Sequence, residues 1–214
     1  MEVAVILSGC GVLDGSEIHE SVCLALSLEQ AGHRVSYFAP DMAQAVVTNG
    51  MTGQVLDETR NVLVESARIA RGKIRPLSEM GKFDAVALPG GLGAARNLCD
   101  FAVRGAKCEV NGEVARALKS AHEAGAALGF MCIAPVIAAR LFEGVRVTLG
   151  GDGAEARACE AMGAHHVVCR ADEACIDKTW RVASVPAYMA ARSISECFES
   201  ARALVSALET LCDH

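Results

Sequence analysis

The sequence predicts an α/β fold, a three-layer sandwich in which a mostly parallel sheet is covered by helices on both faces. Three observations predict it. Short apolar runs such as Glu2 to Leu7, Phe83 to Leu88 and Ala127 to Met131 lack the polar alternation of a half-exposed strand. Segments of helical period separate them, and Gly-rich turns follow two of them directly. Strands that are apolar on both sides need cover on both sides, and a helix between successive strands is the usual parallel crossover.

In chain order, Glu2 to Leu7 is the first strand and Ser8-Gly-Cys-Gly11 the loop after it. Ser16 is placed to cap a helix from about Glu17 to Ala31, closed by Gly32. Arg34 to Ala39 is the second strand, ended by Pro40. Asn49-Gly50 and Thr52-Gly53 are turn signals, so residues 41–58 read as irregular. Val62, Ala67, Ile69 and Ala70 predict a helix over 59–71, stopped by Gly72. Phe83 to Leu88 is the third strand, running into Pro89-Gly-Gly-Leu-Gly93.

Val114, Ala117, Leu118 and Ala121 keep helical spacing between Asn111 and Gly125. The fourth strand, Ala127 to Met131, breaks at Cys132, and Ile133 to Phe142 reads as a helix with Pro135 in its first turn. A strand over 145–149, a helix over 154–162, strands over 166–169 and 180–185 and a last helix to about Leu211 complete the pattern. No repeat or linker interrupts it, so residues 1–214 read as one domain.

Composition narrows the function. Apolar residues make up 52% of the 214 and charged residues 21%, with no block of like charge, which excludes disorder. No apolar run approaches the roughly 18 residues of a membrane span. Twenty basic residues against 26 acidic ones, scattered along the chain, give no footprint for nucleic acid. The ten cysteines include no C-x-x-C pair and are expected as reduced, buried thiols. Strand alternation separates His166 from His165 and Cys169, so neither a metal nor another cofactor is expected. The acidic N-terminus enters a strand directly and lacks a basic targeting region, from which a cytoplasmic location is expected.

Sites in such sheets lie outside the carboxyl ends of the strands. Three segments converge there: Gly9, Cys10 and Gly11; Gly90 and Gly91; and the turn at Cys132. A cysteine between a buried strand and a helix is lifted to the sheet edge as on a nucleophile elbow, and the helix N-terminus behind it favours the thiolate. The Gly90-Gly91 turn aims an amide into the crevice, and the N–H of Ile133 is the natural second oxyanion donor. Glu17 and Glu20 share one side of the first helix, and one of them is expected to reach the crevice as a proton shuttle with a raised pKa. Acidic residues in a first turn otherwise merely complement the helix dipole. Cys10 is placed to line the pocket or be oxidised in place of Cys132, and His19 to polarise a substrate.

Ser8-Gly-Cys-Gly-Val-Leu-Asp-Gly-Ser-Glu-Ile-His-Glu20, Arg60 to Ile74, Leu88-Pro-Gly-Gly-Leu-Gly-Ala-Ala-Arg-Asn-Leu98, Cys132-Ile-Ala-Pro135 and Val185-Pro-Ala-Tyr-Met189 resemble the ElbB family. That family is a branch of the ThiJ/PfpI superfamily, which has the class I glutamine amidotransferase-like, flavodoxin-like fold. The resemblance puts the elbow cysteine on Cys132, the carboxylate partner on Glu20 and the oxyanion glycine on Gly91. It places Gly9, Cys10, Gly11, His19, Gly90, Pro186 and Tyr188 around the pocket. Relatives carry a histidine where Ile133 stands, and true amidotransferases carry a histidine and a glutamate where Pro186-Ala-Tyr188 stands. The implied activity is a cofactor-independent glyoxalase acting on a small dicarbonyl, glyoxal or methylglyoxal, in a homodimer. A redox-responsive binding protein associated with isoprenoid biosynthesis is the alternative, and an amidotransferase subunit, lacking the triad histidine, a third.

Overall fold

The computed structural model, which describes residues 1–213, is built on a seven-stranded sheet. The chain runs β1 (Glu2–Ile6), α1 (Ile18–Gln30), β2 (Arg34–Ala39), β3 (Val47–Thr48), β4 (Val55–Leu56), α2 (Val62–Ile69), β5 (Ile74–Pro76) and β6 (Ala85–Leu88). It continues through α3 (Leu92–Arg96), α4 (Phe101–Arg104), α5 (Gly112–Glu123), β7 (Ala127–Met131) and α6 (Pro135–Leu141). The last third holds β8 (Arg146–Val147), α7 (Ala154–Ala161), β9 (His165–His166), β10 (Cys175–Asp177), β11 (Val182–Val185) and α8 (Ile194–Cys212). The sheet order is β10-β11-β7-β6-β1-β2-β5, parallel throughout except for β10 against β11.

β1, β6 and β7 occupy the middle, and every residue of β6 and β7 is buried, which is why their sequences carry no polar alternation. Leu88, Leu128, Phe130 and Met131 are fully enclosed, each contributing about 1.5–3 kcal/mol. Glycine at 129 lets α8 lie flush on β7, since a Cβ there would meet Leu208 Cδ1 at 3.1 Å. From β1 the chain crosses to β2 through α1, and from β6 to β7 through α5 in the opposite direction. Right-handed crossovers in opposite directions put their helices on opposite faces. The order therefore switches between β1 and β6, and the crevice opens beyond their carboxyl ends.

Several boundaries differ from the expectation. Glu17, not Ser16, caps α1, its carboxylate accepting the Glu20 N–H at 2.7 Å, while Ser16 Oγ accepts the N–H of Ser8 at 2.8 Å. The strands expected over 145–149 and 166–169 shrink to β8 and β9, a separate parallel pair outside the main sheet. Gly150, at φ 88°, turns the chain away before it can lengthen. The irregular stretch holds the small β3–β4 hairpin, closed where Gly53 N–H donates to Asn49 O at 2.8 Å. The edge strands β5 and β10 were not anticipated, and proline in β5 is tolerated because the strand is an edge. His166 Nε2 accepts the N–H of Leu149 at 3.2 Å, and no cluster suited to a metal forms among the described residues. No helix among them is long and apolar enough to cross a membrane.

Candidate active site

β7 ends at Met131, and the next residue, Cys132, takes φ 58°, a left-handed conformation that costs a non-glycine residue about 1–3 kcal/mol. The turn is held because Cys132 N–H donates to Val185 O on the neighbouring strand at 3.0 Å and Ala134 N–H donates to Met131 O at 2.9 Å. The side chain is thereby lifted off the end of the sheet, yet the residue is only 8% exposed. Gly90 closes over it. A Cβ at residue 90 would lie 2.4 Å from Cys132 Cβ, 3.0 Å from its sulfur and 2.8 Å from Glu20 Oε2, so only glycine fits between thiol and carboxylate. Gly91 is equally constrained, with φ 89° and a Cβ position 2.4 Å from both Glu17 N and Gly15 O.

Of the two glutamates that open α1, Glu20 is the one that reaches the crevice. It is completely buried. Gly90 N–H donates to Oε2 at 2.8 Å, Tyr188 N–H donates to Oε1 at 3.3 Å, and the Cys132 thiol is its side-chain partner. Burial is the largest influence and raises the carboxyl pKa from 4.5 to about 7; Glu17 adds to it, while the thiol and the two amides pull the other way. A carboxyl so placed can take up or release a proton near neutral pH.

The expectation of a resting thiolate is corrected. The Cys132 thiol is held well above its ordinary value, first by burial and then by the charge of Glu20, which outweigh the amides of Gly91 and Ile133. The thiol donates to Glu20, and Glu20 can take its proton. The same two amides point at the sulfur, and no backbone carbonyl among the described residues accepts them. Amides so placed can also donate to an oxyanion formed beside the sulfur.

Pro186, Ala187 and Tyr188 make a tight turn over Glu20. Ala187 has φ 43° and is fully buried, a second strained residue at the site. Its N–H donates to Ser200 Oγ on α8 at 2.9 Å, which fixes the neighbouring Tyr188 amide against Glu20. Sequence reasoning missed Ser200: nothing in its neighbourhood marks it, and its partner lies on another element. Ser200→Ala leaves the Ala187 N–H buried without a partner, so a loss of about 1–3 kcal/mol is expected. In a chain this long that is roughly 3–10 °C in a thermal melt, and an unchanged midpoint contradicts the assignment. His19 Nδ1 and the Tyr188 hydroxyl lie 2.8 Å apart at the mouth.

The first loop is a buttress more than a wall. Gly9 N–H donates to Ser66 Oγ at 2.9 Å and Gly11 N–H to Ser16 O at 2.9 Å. Glu17 N–H donates to Gly90 O at 3.0 Å and Gly93 N–H to Gly15 O at 2.9 Å, locking this loop to the Gly90-Gly91 turn. Asn97 Nδ2, also unforeseen, donates to Ser8 O at 2.8 Å and Asp14 O at 2.9 Å. Cys10 is half-buried, and the charges that act on it are Glu65, Arg68 and Asp14. The structure does not bring it into the Cys132–Glu20 hydrogen-bonded set.

No family model matches the chain. It is 45% identical to the human glutamine amidotransferase-like class 1 domain-containing protein 3, mitochondrial, over 95% of this chain and 80% of that protein. The rat ES1 protein homolog, mitochondrial, is 44% identical over 95% and 81%. Among solved structures, an isoprenoid biosynthesis protein with amidotransferase-like domain from Ehrlichia chaffeensis is 31% identical, covering 99% of both chains with a TM-score of 0.92. Glyoxalase III from Candida albicans covers 97% of both chains with a TM-score of 0.61 at 12% identity, a likeness of fold alone. The expected cytoplasmic location is corrected by these relatives, whose names place them in mitochondria.

Proposed function

We propose, from the premise that the chain belongs to the ES1 family of glutamine amidotransferase-like class 1 domain proteins, that it is a cofactor-independent lyase of glyoxalase type. Within that family, the long motifs shared with ElbB and the likeness to the isoprenoid biosynthesis protein support an ElbB-type member. One observation carries the activity: a fully buried carboxyl, its pKa raised by burial to about 7, is hydrogen-bonded to the Cys132 thiol, which the amides of Gly91 and Ile133 also face.

Glu20, as the carboxylate, takes the Cys132 proton as the sulfur attacks the aldehyde carbon of glyoxal or methylglyoxal. The oxyanion forms against the N–H groups of Gly91 and Ile133, each donor worth about 3 kcal/mol at such a site. Protonation gives a hemithioacetal. Glu20 then removes the proton from the former aldehyde carbon and returns one to the adjacent carbon through an enediol, leaving a thioester. Water cleaves it to glycolate or lactate and restores the thiol. The sum is dicarbonyl plus water to 2-hydroxy acid, with no external oxidant or reductant. Burial of Cys132 fits a substrate of two or three carbons. Glutamine hydrolysis is not favoured, because the resemblance puts Pro186-Ala-Tyr188 where amidotransferases carry the histidine and glutamate of the triad, and the Tyr188 hydroxyl is engaged with His19.

The test is to follow glycolate and lactate by proton NMR when purified protein meets glyoxal or methylglyoxal without glutathione or added metal. Product formed in proportion to protein is expected; dicarbonyl that decays only at the buffer rate ends the reading.

A further inference from the structure

We propose that Cys23 and Cys197 are a modification site, a dithiol that closes to a reversible disulfide and staples α1 to α8 beside Glu20. Cys23 is buried on α1 and Cys197 on α8, two helices that pack against each other; each thiol influences the other's ionisation, and neither belongs to a step of the lyase chemistry. Cys197 is fully buried, whereas Cys23 keeps 6% of its surface exposed and lines a cleft of about 930 Å³ with Val22, Leu26, Ile194 and Phe198. A cleft of that size admits a drug-sized ligand, so a small-molecule disulfide such as oxidised glutathione, seated there, meets Cys23, which lines the cleft, before Cys197, which does not.

The exchange then runs in one order. The Cys23 thiol, losing its proton to solvent, attacks the small disulfide, expels one thiolate and forms a mixed disulfide. Cys197, losing its proton, attacks the Cys23 sulfur and expels the second thiolate. Two protein thiols are oxidised, one small disulfide is reduced to two thiols, and the S–S bond closes to about 2.05 Å. Burial and the charges of Glu17 and Glu20 keep both thiols protonated, so the exchange is slow at neutral pH and is best read at equilibrium.

The site's position gives the bond a consequence. Cys23 lies one helical turn after Glu20 on α1, and Cys197 lies one turn before Ser200 on α8, the serine that holds the Ala187-Tyr188 turn against Glu20. Pulling the two sulfurs into bonding distance shifts both supports of that carboxylate. This regulatory effect rests on the lyase reading; the cross-link itself does not.

The test equilibrates wild-type protein in glutathione buffers of increasing oxidised fraction at pH 8, then quenches in acid, alkylates and maps peptides after cleavage at Glu20 and by trypsin. Expected is a peptide pair joining Cys23 to Cys197, two hydrogens lighter than its parts, removed by dithiothreitol. Cys23→Ser should leave Cys197 alkylated; if that variant does not fold, the wild-type map decides alone. Both thiols alkylated at the most oxidising ratio, or a stable glutathione adduct on Cys23 with Cys197 free, overturns the site. Turnover by the cross-linked protein is expected to fall several-fold and return on reduction; turnover unchanged in a fully cross-linked sample overturns the link to Glu20.

Discussion

Cys132→Ala is expected to abolish conversion of methylglyoxal, by roughly three orders of magnitude or more, while the fold survives. Loss of a covalent nucleophile leaves only the contributions of binding and oxyanion donors, and in acyl-transfer enzymes that residue is small. The structural cost is low. Alanine tolerates the left-handed backbone at position 132 about as well as cysteine does, and the atom removed is one sulfur at the edge of the core. Stability should therefore change by about 1 kcal/mol at most. Cys132→Ser makes the sharper control, because it retains a partner for Glu20 but offers a hydroxyl that the carboxylate cannot usefully deprotonate. Lactate production by either variant within tenfold of wild type, with equal thermal midpoints, would show that the sulfur is not the nucleophile.

What the chain revealed in advance was the part of the site that is local. A buried strand breaking at Cys132, with Pro135 just beyond, marks an elbow because the backbone has to turn there. Gly90 and Gly91 mark a close approach, and the cradle around Gly90 supplies the reason. The ionisation of Cys132 is not legible in the helix N-terminus that follows it in sequence. What decides it, burial and the charge of Glu20, arises from an element distant in the chain. Ser200 and Asn97 were invisible for the same reason: each satisfies a backbone group on another element, and no spacing rule encodes that. The edge strands β5 and β10 span three residues each, too short for a periodic signal.

Glu20→Gln separates the carboxyl's chemical role from its structural one. Removing the proton carrier is expected to lower turnover by about 10²–10⁴-fold and to erase a rise in kcat/KM that the wild type shows as pH climbs through about 7, where Glu20 becomes a base. Stability should move differently. An acid whose folded pKa stands above its unfolded value binds more protons when folded, so the folded state weakens as pH rises through the window from 4.5 to about 7. A rise from 4.5 to about 7 corresponds to about 3 kcal/mol above that window. Glutamine bears no charge at any pH and escapes this penalty. It brings another, because both carboxylate oxygens accept N–H donors and one of them becomes an NH₂ facing either Gly90 or Tyr188, at about 1–3 kcal/mol. The variant should thus melt below wild type at pH 5 and gain on it steadily, by roughly 5–10 °C, on going to pH 8. Melting curves of the two proteins that stay parallel across this range would mean that Glu20 is not a buried acid straddling neutrality, and the proton shuttle would have to be sought elsewhere.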